Sequence, residues 1–273
     1  MERTGVGLRA PAGGRSGEAA RHIVTSLRTA FGLYARLFLL RSIPTVASRT
    51  SAVDFTLFQA NVELKAQKPT IRGRSTQDLQ TDDLEYRVAR RAFDYAVWKG
   101  RGRVTAIYNP EAPPAFLTDC RRAAEECVQV EYNEVRACGN SGVTLRPETL
   151  DVVVMPAGLD DSAVQYATML AGGLEFAPAS SLGEQYIIFE PAQDFDESGT
   201  SPVCNPTALM RSAVLMLEHL GENKAARKLE YALSEVYADG KCLTPDAGGT
   251  ASIGRFTTAV LGKLRKALSC GIG

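Results

Sequence analysis

Hydrophobic residues recur most regularly in the last third of the chain. Asn205 and Pro206, a capping residue and a proline suited to a first turn, open a stretch in which Leu209, Ala213, Leu217 and Leu220 return at helical spacing until Gly221. A second helix is expected from about Glu222 to Asp239, with Leu229, Ala232, Leu233 and Val236 on one face and Gly240 as its stop. A third starts near Ser252 and is expected to bury Phe256, Val260, Leu264 and Leu268. Upstream the pattern changes to short apolar runs, and Arg103–Tyr108, Asp151–Pro156 and Gln185–Glu190 read as strands. The unbroken run from Val152 to Val154 predicts a strand buried on both faces. A helix from Asp83 to Lys99, ended by Gly100, precedes the first of these strands, and the alternation predicts an α/β fold. Between Gln59 and Asp82 no period stands out, so loop or hairpin is expected there.

Charge and composition narrow the function. Lys+Arg and Asp+Glu balance at 31 each, which gives the molecule no overall pull toward a phosphate backbone. The longest apolar stretch near the start, Thr29 to Leu40, is interrupted by Arg36 and is too short to span a bilayer. Six cysteines (Cys120, Cys127, Cys138, Cys204, Cys242 and Cys270) form no C-x-x-C pair and fit neither a zinc site nor a redox motif. The two histidines are His22, in an arginine-rich stretch, and His219, near a helix end, which leaves little for a His-centred nucleophilic site. Residues 1–42 carry seven Arg, no Lys and two acids, Glu2 and Glu18. That bias resembles a mitochondrial transit peptide, with a basic segment of the fold itself as the alternative.

Two local motifs fail on context. Gly5–Ala10 (GVGLRA) matches a dinucleotide fingerprint, but only four residues precede it and Pro11, Gly13 and Gly14 follow, leaving no strand before and no helix start after. Gln193–Ser198 (QDFDES) is acidic but lacks the glycine and terminal glutamate of a calcium loop, and reads as a solvated loop.

Read in order, longer segments resemble successive parts of the isocitrate/isopropylmalate dehydrogenase family. Ser26–Phe55 is similar to its substrate-arginine segment, and Arg87–Tyr108 to the helix and strand before its catalytic lysine. Leu150–Pro191 is similar to its metal-aspartate and dimer-helix region, and Asn205–Glu230 with Leu243–Ser252 to its C-terminal helices. Val6–Pro11 aligns with the short strand and turn before the arginine segment. The flavour is that of mitochondrial NAD-dependent isocitrate dehydrogenase subunits. The resemblance implies an isopropylmalate-dehydrogenase-like α/β fold, shortened at its N-terminus. In it residues 1–33 and 172–273 form the large domain and 34–171 the small dimerisation domain.

The family's reaction, oxidation of a 2-hydroxy acid followed by decarboxylation, needs arginines for the carboxylates, aspartates for Mg²⁺ or Mn²⁺, and a Tyr and Lys for proton transfer. By the resemblance the first clamp arginine is kept as Arg28, while the second falls at Phe38 and the third at Gln59. The tyrosine falls near Ala66 and the lysine at Asn109, followed by a shortened loop. Of the metal aspartates Asp161 remains; the next falls at Gln165 and the one lent to a partner at Cys138. The substrate serine and asparagine fall at His22 and Val24. The cofactor loop becomes Gln193–Ser198, and Asn205, which would face an adenine, is also a good helix cap. A general acid or base contributes about 10²–10⁴ in rate, and one carboxylate does not hold Mg²⁺. The expectation is therefore a protein with no catalytic, cofactor-binding or metal residues and no cofactor, with Arg28 and Asp161 kept as salt-bridge or capping residues. It would serve as an accessory subunit of a respiratory, ATP-synthase or ribosomal assembly on the matrix side of the mitochondrion. The alternative is a regulatory subunit of NAD-dependent isocitrate dehydrogenase. Its partners would be other protein subunits, including an isocitrate-dehydrogenase-like paralogue met through the small-domain helices. There Ala163, Ala167 and Ala171 on Ser162–Gly173 would let a neighbouring helix approach.

Overall fold

The computed structural model describes residues 3–11, 17–43, 46, 53–61, 70–71, 74–75, 83–109, 114–137, 147–156, 161–193 and 205–269. Its strands are β1 (Val6–Leu8), β2 (Ala35–Arg41), β3 (Asp54–Ala60), β4 (Thr70–Ile71), β5 (Arg74–Ser75), β6 (Arg103–Tyr108), β7 (Glu131–Arg136), β8 (Val152–Met155), β9 (Pro178–Leu182) and β10 (Ile187–Pro191). Its helices are α1 (Gly17–Ala30), α2 (Leu84–Lys99), α3 (Pro114–Glu125), α4 (Asp161–Leu170), α5 (Thr207–His219), α6 (Asn223–Asp239) and α7 (Ile253–Ser269). All strands except the β4–β5 hairpin join one mixed sheet in the order β1-β10-β9-β2-β3-β8-β6-β7. Strands from residues 1–33, 34–171 and 172–273 thus share one hydrogen-bonded surface.

Alternation along the strands decides what each face of that sheet carries. Leu37, Phe58, Val104, Val152 and Val154 point to one face, where Val88, Ala92, Phe93 and Ala96 of α2 and Phe116 of α3 cover them. Phe38, Leu40, Phe55, Leu57, Val153 and Met155 point to the other, against Ala167 and Leu170 of α4. The valine run of β8 is buried on both faces, as its sequence predicts. A third cluster packs Leu233, Val236 and Tyr237 of α6 against Phe256 and Val260 of α7, with Phe176 wedged between. Fully burying a Phe, Leu or Val side chain contributes about 1.5–3 kcal/mol, so these layers supply most of the cohesion. Gly100 ends α2 at φ 64°, its N–H donating to Ala96 and Val97 carbonyls, a conformation that costs a residue with Cβ.

At the sheet's edges, β7 exposes Glu131, Glu134, Val135 and Arg136, and β1 is three residues long. Arg103 pairs with Glu131 at 2.9 Å and Arg121 with Glu134 at 2.7 Å along the β7 side. At the other edge Gly5 adopts φ +70°, where an added Cβ would lie 2.8 Å from the Gln185 carbonyl oxygen.

Four expectations change. Gln59, expected to begin a loop or hairpin, lies inside β3, because cross-strand pairing with β2 and β8 overrides its polarity. On α5 the buried side is Thr207, Ala208, Arg211, Ser212 and Val214, while Leu209, Ala213 and Leu217 are half-buried and Leu220 is exposed. Arg211 tolerates burial because its Nη1 donates to the carbonyls of Phe176 (3.0 Å) and Arg41 (3.3 Å). On α7 Ala267 is buried and Leu268 exposed. Four-residue steps overrun the 3.6-residue turn, so position 268 has rotated away from Phe256 while 267 has come into line. Ala167 on α4 and Ala171 in the turn just after it face this chain's own core instead of a neighbour. The small-residue stripe is filled from within, leaving Gln165 and Met169 outermost among the described side chains. The side chain of Ala163 lies outside the described residues.

Candidate functional site

Arg28 stands on the last turn of α1 and is 4% exposed. Its guanidinium is committed inward: Nη2 donates to Glu190 Oε1 at 3.0 Å and Nε donates to Ser181 Oγ at 3.2 Å. Ser181 Oγ donates to the same Oε1 at 2.6 Å, and Arg9 Nε donates to Glu190 Oε2 at 2.6 Å. The sheet builds this cluster. β9 and β10 set Ser181 and Glu190, and the Arg9 amide donates to Phe189 O at 2.9 Å, which ties the end of β1 to β10. Charged hydrogen bonds contribute about 1.5–3 kcal/mol each, and without them a buried carboxylate costs several.

The neighbouring positions extend the cluster along the same face. Arg36 on β2 sits in register with Gln59 on β3 and Ser181 on β9, and its Nη2 donates to the Ala192 carbonyl at 3.2 Å. Phe38, two residues along β2, is packed in the core, and Gln59 is buried. The structure therefore brings the three clamp positions Arg28, Phe38 and Gln59 onto one side of the sheet, with a single cation among them and that cation bonded to Glu190. Glu190, Ser181 and Arg9 have no role that the sequence alone assigns, and Arg36 stands out there only as the charge that interrupts an apolar run. An acid closing a buried strand and an arginine interrupting an apolar run were the available signals.

The other positions are scattered. Asn109 follows β6, half-buried; Gln165 is exposed on α4; Asp161 is the first residue of that helix. His22 is exposed on α1 with Nδ1 3.4 Å from Ser26 Oγ, and Val24 is buried. Ala66, Cys138 and residues 194–198 lie outside the described residues. One turn from Asp161, Gln165 offers a neutral, outward-facing amide, and among the described residues no group of three or more His, Cys, Asp or Glu side chains could hold a metal ion. Asn205 is 4% exposed and used within the fold. Its Oδ1 accepts from the Thr207 amide at 2.9 Å, and its Nδ2 donates to Asp246 Oδ2 at 2.6 Å and reaches Tyr237 Oη at 3.4 Å. Burial raises the Tyr237 phenol, while hydrogen bonds with Thr207 and Asn205 pull it partly back. Val6–Leu8 forms a strand containing Gly7, so the glycines of the early motif lie in and before a strand rather than at a helix start.

Chemically, the cluster is a hydrogen-bonded seam in which Arg9 and Arg28 share the Glu190 carboxylate, with Arg36 bonded to a carbonyl beside them. At the clamp positions 38 and 59 it presents a phenyl ring and an amide, and position 109 carries an amide.

Comparison with known proteins agrees with this architecture. The chain is 30% identical over 274 residues to the mitochondrial NAD isocitrate dehydrogenase regulatory subunit 1 of Arabidopsis thaliana, covering 94% of this chain and 73% of that protein. It is 32% identical to the mitochondrial catalytic subunit 5 of the same enzyme in that plant, covering 95% and 72%. The isocitrate dehydrogenase structure from Methylococcus capsulatus superposes with a TM-score of 0.77 at 24% identity, over 97% of this chain and 83% of that one. The family described as isocitrate/isopropylmalate dehydrogenase matches residues 4–263. With the fold, the order of its segments and this match in agreement, the chain belongs to the isocitrate/isopropylmalate dehydrogenase family.

Proposed function

We propose that this chain is a non-catalytic member of its family that works as a regulatory-type subunit beside an intact NAD-dependent isocitrate dehydrogenase subunit in mitochondria. The observation that carries the proposal is the state of the clamp. Arg28 is bonded to Glu190 and Ser181, Phe38 fills the core, and Gln59 is buried and neutral. At the three clamp positions a tricarboxylate or a branched 2-hydroxy diacid would meet one cation, already bonded to Glu190, where its binding calls for several. Non-additivity of such losses does not rescue turnover, because the acid–base pair is absent with them. The mitochondrial regulatory relatives favour this role, and partner subunits and the matrix location are part of the same proposal.

The purified chain should show no isocitrate- or isopropylmalate-dependent reduction of NAD or NADP, with Mg²⁺ or Mn²⁺ present. Affinity purification of the native chain should recover a clamp-intact paralogue. Turnover in a paralogue-free sample would overturn the non-catalytic reading, and recovery with a respiratory, ATP-synthase or ribosomal particle instead would replace the partner.

A further inference from the structure

We infer that the cleft between α2 and α5 binds a small aromatic carboxylate, on the face of the sheet opposite the Arg28–Glu190 cluster. This inference stands whether or not the chain turns over a substrate. The two sites lie back to back on the same strands. Ser181 and Glu190 point to the cluster while Ser180 and Phe189, one residue away on β9 and β10, point into the cleft. On β2 and β3, Leu37 and Phe58 line the cleft and their neighbours Arg36 and Gln59 lie on the cluster side. The cleft holds about 300 Å³, the lower end of the range of small-molecule pockets.

Its shape and chemistry select the ligand. The floor is aliphatic and aromatic, and the rings of Tyr95, Trp98 and His219 stand along the walls, with His219 5.7 Å from Phe189. Flat rings of this kind favour an aromatic body through offset or edge contacts. The charged lining residues are mostly compensated. Lys99 Nζ lies 2.9 Å from Glu218 Oε2, joining α2 to α5, and Asp94 pairs with Arg90 at 3.2 Å. Arg91 is different. Among the described residues its guanidinium has no hydrogen bond or ion pair, and neither the Ser180 hydroxyl nor the His219 ring nitrogens have a hydrogen bond. One uncompensated cation, a hydroxyl and an imidazole around an apolar floor suit a single carboxylate on an aromatic acid.

Trp98 is the chain's only tryptophan and stands at the cleft rim, so it reports occupancy directly. Titration of the full chain with 3-phenylpropionate should give a saturable change in Trp98 emission. The amide 3-phenylpropionamide, which keeps the ring and loses the charge, should bind about tenfold more weakly or worse. Arg91→Gln should weaken 3-phenylpropionate by about tenfold or more, with Arg91→Lys in between. Ser180→Leu, which fills the floor, should remove the signal, and circular dichroism melts show that each variant used is folded. Absence of a saturable signal would overturn the inference. So would equal affinity for acid and amide, or binding that persists unchanged in Arg91→Gln or, if that variant does not fold, in Ser180→Leu.

Discussion

At position 190 a carboxylate sits between two guanidiniums, 1% exposed on its side chain, and the balance there is delicate. Glu190→Ala removes the carboxylate that both Arg28 and Arg9 bond to, and removing one partner of a buried pair costs about 3–5 kcal/mol. Urea denaturation should therefore show a loss of about 3 kcal/mol or more. The double variant Arg28→Met with Glu190→Leu should recover part of it, because the more deeply buried guanidinium leaves with the carboxylate and Arg9, closer to solvent, is the cation that remains. A loss below about 1 kcal/mol in Glu190→Ala would mean that the cluster is solvated and Arg28 available. The sequence exposes half of this site. Arg28 is legible through resemblance, but its partner stands 162 positions away, a distance over which no periodicity carries information. Asn205 was legible as a cap because capping acts on the next few residues, and its Oδ1 bond to the Thr207 amide is of that kind.

Elements were readable where local pattern and final environment agree. β6 occupies Arg103–Tyr108 and α2 stops at Gly100, as their runs and stop signals predict. β9 shows why others were not. Pro178–Leu182 holds a proline and two serines and shows no apolar alternation, yet all five residues are buried because β2 and β10 pair on either side. β7 is hidden by the opposite effect, since its charged, exposed residues carry no apolar signal. Helix phase misleads in a subtler way, as α4 demonstrates. An alanine stripe suits close helix approach, but here the sheet is what approaches. Ala167→Phe should accordingly overpack the core and lower stability by about 1–3 kcal/mol in thermal or urea unfolding. If it left stability intact and changed only self-association in ultracentrifugation, the stripe would be an outer surface after all.

For the molecule as a whole, buried and paired ionisable groups set a pH window. Burial is the main cause that pushes up Tyr34, Cys120, Tyr132 and Tyr237. In the unfolded chain the thiol ionises near its ordinary value of about 8.5 and the phenols near about 10. The native state keeps those protons longer, so stability is whole below about pH 8 and declines as pH rises. On the acid side the Arg121 hydrogen bond holds Glu134 low; Asp54 is low because Arg101 and Arg41 outweigh the opposing effect of its burial. Their contribution is present above the ordinary carboxylate range of about 4 and is lost as pH falls through the lowered values. The urea midpoint should be flat from about pH 5 to 8 and fall on both sides, and Cys120→Ala should delay the alkaline fall. A midpoint unchanged at about pH 9.5 in the parent chain would contradict this. The sheet's two margins bear on what happens once that window is left. Among the described residues β7 presents a charged, exposed edge flanked by the Arg103–Glu131 and Arg121–Glu134 pairs, and β1 provides only a few backbone contacts, so native molecules have little means of polymerising strand by strand. Precipitation on heating must then begin from opened chains. Its onset would track the melting transition, and shelf life at rest would be governed by how seldom the molecule opens.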